Sequence, residues 1–404
     1  MEQVLYSLPD GWEWQTFNDV CTNITDGAHA SPKTVDEGFP YVTVRDVNHK
    51  GQIDLINCKR ISEDDFLSLK KGNCLPPVDS VLLSKDGTVG KVAHVTNDYD
   101  EFVVLSSLAI IAPEKTSLSP EYLKYFLLSP EFQDHAIGSK TGAAIKRIVL
   151  RTIKNFNIPI APLEQQKRIV EQLDALLIRM DTAIEHLQES VTLADALYAS
   201  ELASVFSSGQ DKWPLRELNE VAEVARGKSK HRPRNDKSLF GGEYPFIQTG
   251  DVRGSQKHIT NFSATYNEKG LQQSKLWPKD TICLTIAANI GDVAILGMDA
   301  CFPDSVVGIS SSELETDYLY YFLTTLQQQL DSKANAAAQK NINLKILSEI
   351  KIPVPTLDEQ KIIVKQINEI DQLAVKVKAE ISEKITMMQQ LKASILDSAF
   401  KGEL

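Results

Sequence analysis

The chain has 404 residues, 42% of them hydrophobic and 24% charged, and a formal net charge of −11. Those proportions suit a globular protein with room for two or three cores. No run approaches the roughly 18 apolar residues of a membrane span, and MEQVLYSLPDGW lacks the basic and apolar regions of a signal peptide. The five cysteines (Cys21, Cys58, Cys74, Cys283, Cys301) form no CxxC pair. Neither a disulfide framework nor a metal site is expected, and a reducing cytoplasm fits best. The acidity is uneven. Segment 163–206 carries eight acidic and three basic side chains, whereas 207–356 is balanced and holds a concentrated basic stretch. Clustering decides nucleic-acid binding more than total charge, so the net charge does not exclude a DNA-facing surface.

The first segment, 1–162, contains short β-like runs (YVTV, SVLLS, KVAHV) broken by Gly, Pro and Asp turn signals. A helical stretch follows over 163–206. Its apolar seam runs through Val170, Leu173, Leu177, Met180, Ile184, Leu187, Val191, Ala194 and Tyr198, alternately three and four apart. Segment 207–356 then repeats the β-like pattern (PFIQT, TICLTI, DVAIL). A second helical stretch, 357–404, carries Ile367, Ile370, Ala374, Val377, Ile381, Met388, Leu391 and Ile395 at the same spacing. Thr356 and Glu359 make a capping-box signature at its start, where Pro162 stands in the first half.

The order is a duplication. WEWQTFNDV (12–20) aligns with WPLRELNEV (213–221), FPYVTVRDV (39–47) with YPFIQTGDV (244–252), and YLKYFL (122–127) with YLYYFL (318–323). From Ala143 to Phe206 the offset stays at 194, and 8 of 16 residues are identical between 158–173 and 352–367. Shared ancestry is the reading. A helix of this length, about 66 Å, cannot bury its stripe on one small domain, and its simplest partner is its own repeat. A pseudo-two-fold relation would pack the two antiparallel. The expected fold is therefore mixed α/β (α+β): two globular domains joined by two long antiparallel coiled-coil helices.

Catalytic signatures are missing. GTVG (87–90) lacks the lysine and hydroxyl of a P-loop, and no Gly-x-Ser-x-Gly elbow, HExxH or paired-cysteine motif occurs. Pro76-Pro77 lacks the flanking residues that amino-methyltransferases use, and the seven histidines are scattered. No catalytic residue is expected.

LPDGWEW, DGAHASP (26–32), YPFIQTGDV, IPIAPLEQQKRIV (158–170), IPVPTLDEQKIIV (352–364) and LKASILDSAFKGEL resemble the specificity subunits of type I restriction–modification systems, over essentially the whole chain. One departure is Ala161 where the second half has Pro355. The resemblance implies two target-recognition domains, each reading one half of a bipartite double-stranded DNA site, with the helices as spacer. It also implies two modification subunits that bring S-adenosylmethionine, and restriction subunits that use ATP and Mg, so that no cofactor resides here. A duplicated coiled-coil scaffold that binds protein alone is the competing reading. A fragment of a fused restriction–methylation enzyme is a third, disfavoured by a chain that begins with Met and stops just after its second repeat.

The basic stretch Arg226, Lys228, Lys230, His231, Arg232, Arg234 and Lys237 is kept from helicity by Gly and Pro. It suits phosphate neutralisation, or an arginine reaching guanine. A solvated loop is the plain alternative. Its counterpart in the first domain, DGAHASPK, offers only His29, Ser31 and Lys33. At the YPFIQTGDV strand, Gln248, Thr249 and Arg253 are candidate base readers, matched by Thr43 and Arg45 with Asn48 nearby. Exposed strand ends would look the same. The turn residues Lys85 and Asn289 are weaker candidates. Gln166, Lys167, Gln360 and Lys361 at the helix starts are expected to contact a modification subunit, although an exposed first turn explains them equally well.

Overall fold

The computed structural model describes residues 3, 5–138, 147–209, 212–231, 233–287, 290–327 and 344–404. The chain divides into two units, Met1–Gln188 with Ser382–Leu404, and Glu189–Ile381.

In the first unit the strands Cys21–Asp26, Leu108–Pro113, Val81–Ser84 and Val92–His94 form an antiparallel sheet in that order. Its two central strands, VLLS and LAIIAP, are buried throughout because both faces are covered. Side chains alternate across a strand. Val81, Leu83, Ala109 and Ile111 therefore enter a core shared with helices, whereas Leu82, Leu108 and Ile110 enter a second core. A second sheet has the order Thr34–Val35, Lys59–Ile61, Phe39–Val42, Val103–Val104, its last pair parallel.

The second unit repeats this logic. Glu223–Arg226, Val306–Ser310, Ile282–Thr285, Val293–Leu296 and His258–Ile259 form one sheet. Ile282 and Leu284 face the helical core while Cys283 faces the other. Ala264–Tyr266, Phe240–Phe246, Ala300–Cys301 and Leu276–Trp277 form the second sheet.

Two long helices complete the chain, Leu163–Gly209 and Leu357–Lys401. In the first unit Leu173, Leu177 and Met180 share a core with Leu396, Ala399 and Phe400, and Lys392 Nζ lies 2.6 Å from Asp181 Oδ1. In the second, Leu202 and Phe206 share a core with Ile363, Val364 and Ile367, and Lys378 Nζ lies 2.7 Å from Asp195 Oδ1. Partners rise in number along one helix as they fall along the other, so the pairing is antiparallel. The seam of the second helix differs from expectation. Val377 and Leu391 are exposed, and the half-buried neighbours Lys378 and Lys392 take the inward positions. Each lysine reaches an aspartate of the first helix while its stem covers apolar surface. No helix among the described residues is long and apolar enough to cross a membrane.

Candidate nucleic-acid interface

The basic stretch of the second unit leaves the strand Glu223–Arg226 at Gly227. The Gly227 amide donates to the Val306 carbonyl at 2.9 Å. A Cβ at Gly227 would lie 2.3 Å from the Phe302 carbonyl oxygen, so only glycine lets the backbones approach this closely. The loop is thereby carried past residues 302–306. Arg226, Lys228, Lys230, Arg234 and Lys237 are exposed, and Arg232 lies outside the described residues. His231 is committed locally: its ring nitrogen Nε2 is 2.8 Å from Asp236 Oδ2. Hydrogen bonds from Ser238 and then from His231 hold the Asp236 carboxyl down at about 2.

This loop and the YPFIQTGDV segment, some distance apart in sequence, line one cleft of about 350 Å³. Arg234, Asn235 and Ser229 come from the loop, Gln248 and Thr249 from the segment, and Pro303 and Ser305 from the facing strand connection. Phe240 and Phe246 supply apolar wall, and Phe246 stacks on Tyr266 with centroids 4.1 Å apart. A cleft with an aromatic wall and amide, hydroxyl and guanidinium groups can read the edge of a base.

Gln248 and Thr43 prove to be helix caps rather than strand ends. The Gln248 amide donates to Asp251 Oδ2 at 2.8 Å at the start of the helix Thr249–Gly254. The Thr43 amide donates to Asp46 Oδ2 at 2.6 Å before the 3-10 turn Val44–Asp46. The same aspartate thus fixes the same turn in both repeats, and the residues displayed on it differ. Gln248 Nε2 also reaches Ser263 Oγ at 3.1 Å, and Arg253 is exposed on the helix.

In the first unit Arg45 is exposed on its turn, and His29, Ser31 and Lys33 are exposed on their loop. His29 Nε2 lies 3.2 Å from Asp26 Oδ1. Asn48 is exposed but its side chain organises a hairpin, accepting from the amides of Lys50 and Gln52 at 2.9 and 3.0 Å and donating to Gln52 Oε1. Lys91, unremarked in the sequence, donates from Nζ to the carbonyls of Val44 and Val47 and closes the turn from behind.

Lys85 is a correction. It is 1% exposed, with Nζ 3.1 Å from Asp26 Oδ2 and 3.2 Å from Asp86 Oδ2, so it holds two carboxylates together and presents nothing to DNA. Asn289 lies outside the described residues. Among the described residues no group of three or more His, Cys, Asp or Glu could hold a metal ion.

Against this geometry, the family model of the type I restriction modification DNA specificity domain matches twice, at residues 9–193 and 210–387. The chain belongs to this family. The StySPI specificity subunit of Salmonella potsdam is 22% identical over 98% of this chain and 90% of its own length. The EcoKI specificity subunit of Escherichia coli strain K12 is 21% identical with the same coverage. A chain from a study of complex assembly and conformational transition of the type I R-M system has a TM-score of 0.77, at 22% identity, covering 99% of this chain and 100% of that one. The HsdS subunit of Thermoanaerobacter tengcongensis has a TM-score of 0.56, at 22% identity, covering both chains fully. These structures share the fold.

Within this type I specificity chain, two helix-start residues are also corrected. Gln166 and Gln360 are fully buried. Gln166 Oε1 accepts from the Ser119 amide at 2.9 Å, and Nε2 donates to the carbonyls of Ser117 and Ala161, both at 2.8 Å. Gln360 repeats the pattern with the Glu315 amide and the carbonyls of Glu313 and Pro355. With every polar atom engaged, neither offers a group to a partner. Each ties its long helix to the loop before the YLxYFL helix. Lys167 and Lys361 are exposed. Trp12 and Trp213 brace the same turns, donating from Nε1 to Gln165 at 2.7 Å and to Glu359 at 3.2 Å.

Proposed function

We propose that the chain is the DNA-recognition subunit of a type I restriction–modification complex, without chemistry of its own. Each domain reads one half of a bipartite duplex target, and the paired helices set the spacing and carry two modification subunits. S-adenosylmethionine sits on the modification subunits, and ATP and Mg on the restriction subunits. The observation that carries this reading is one retained turn with different chemistry displayed on it. Asp46 and Asp251 cap equivalent turns, yet one presents Arg45, with the Thr43 hydroxyl taken up by the cap itself, and the other Gln248, Thr249 and Arg253. Two domains that read different half-sites need different side chains on a common frame, which is the pattern these turns carry.

The test is reconstitution with modification subunits and mapping of the bases methylated. A two-part target is expected. Replacing 213–350 with the same segment of a relative should change one part and leave the other. A folded, assembling chimera that loses both parts would refute the assignment, as would methyl transfer at stoichiometric turnover or better by the chain alone.

A further inference from the structure

We infer that Arg234 reads a guanine of the second half-site and that Asp304 is the residue that positions it. The inference rests on the DNA-reading function proposed above. Arg234 Nη2 donates to Asp304 Oδ2 at 2.7 Å while the arginine side chain remains half exposed and lines the cleft beside Gln248. The other carboxylate oxygen, Oδ1, is buried with no hydrogen-bond partner among the described residues, so the Arg234 guanidinium is the group that offsets the burial of this carboxylate. Asp304 stands between the cleft residues Pro303 and Ser305.

A cation that serves a phosphate works through net charge and counterion release, and an adjacent carboxylate cancels that contribution. A guanidinium that reads a base edge works through orientation. It needs two parallel N–H groups aimed at O6 and N7, and a carboxylate held behind it restricts its rotamers before DNA arrives. Of the guanidinium's five N–H donors, the bond to Asp304 uses one. Arg234 is therefore set apart from Arg226, Lys228 and Lys230, which are exposed along the same loop and suit the phosphate role.

The test uses the chain assembled with modification subunits, on duplexes with a randomised second half-site and on unrelated duplex at several salt concentrations. Arg234→Ala and Arg234→Lys should each lower the preference for guanine at one position about tenfold or more. The salt slope of Arg234→Lys should stay unchanged. Asp304→Asn should weaken the same preference while binding unrelated duplex at least as tightly. Arg226→Ala, the comparator, should lower the salt slope by about one unit with preferences intact. All three substituted side chains are at least partly exposed, so these variants should fold. If Arg234→Ala weakens all sequences equally and lowers the slope, Arg234 is a phosphate contact and the inference falls. It falls too if no guanine preference responds to Arg234. A parent complex with no base preference in either half-site would overturn the proposed function itself.

Discussion

Phe400, in the last turn of the second helix, meets Tyr122 of the first domain edge-on, with ring centroids 5.0 Å apart and planes at 72°. Phe206, its counterpart at the end of the first helix, packs on Tyr318 of the second domain at 5.3 Å. Each domain is thus closed by the helix that follows the other. Phe400 is 1% exposed, and Phe400→Ala should cost about 3–5 kcal/mol. The check is the urea midpoint, and a midpoint equal to the parent's would contradict the packing.

Gln166 should matter without any partner present. Gln166→Ala leaves the Ser119 amide and two carbonyls without their bonds, at about 1–3 kcal/mol for each group that water cannot reach. Gln166→Glu should be worse above the carboxylate range, since it sets an anion against two carbonyl oxygens. Thermal unfolding of the isolated chain at pH 4 and pH 7 separates the two effects.

Lys85 should behave as a core residue. Lys85→Ala leaves Asp26 and Asp86 facing each other, and breaking a buried pair costs about 3–5 kcal/mol. The expected outcome is loss of folded protein in denaturant. DNA affinity of the fraction that folds should be unchanged.

Glu131 predicts a pH dependence. It accepts from Gln3 Nε2 at 2.7 Å and from the Tyr6 hydroxyl at 3.3 Å. Burial nonetheless raises its carboxyl above the usual range, and Asp397 adds to the rise while Lys401 opposes it. The folded chain holds this proton more tightly than the unfolded chain. Its contribution is therefore full below the unfolded value and is lost as pH climbs through the folded one. Glu131→Gln should be more stable than the parent at pH 7, with the gap closing below about pH 4. Unfolding midpoints across that range check the sign.

The spacing of the two half-targets should be strict. A coiled seam permits no gradual slip. One base pair added to the gap rotates a half-site by roughly 34° and moves it by about 3.4 Å. Methylation should fall about tenfold or more, at about 1–3 kcal/mol per lost bidentate contact. Rates on duplexes with gaps varied one pair at a time give the answer, and a flat profile over three lengths would make the helices a tether.

The repeat and the long helices were legible because periodicity is carried by neighbouring residues. The seam of the second helix went astray where Val377 and Leu391 drew attention from Lys378 and Lys392, since a lysine whose stem is buried reads as a surface residue. Gln166 resembled an exposed first turn because two of its three partners, Ser117 and Ser119, lie about fifty residues earlier. Lys85 looked like a free cation because Asp26 is distant in sequence. The cleft joins Ser229 to Ser305 and Arg234 to Asp304, pairings that only the sheet brings about. The duplicated Asp in YVTVRDV and YPFIQTGDV was the one available sign of the capped turns.

The two lysine–aspartate pairs of the helices have an uneven origin: both lysines come from the second helix and both aspartates from the first. At the repeat offset of 194, a second helix paired with a copy of itself would set Lys378 against Gln389 and Lys392 against Val375. Two first helices would set Asp195 against Ile184 and Asp181 against Tyr198. Either homotypic pairing strands charges beside apolar or neutral groups, whereas the heterotypic one matches both. Divergence after duplication has therefore given each helix a preference for its sibling over itself, which biases the chain toward closing on its own two halves rather than exchanging helices with a neighbouring copy.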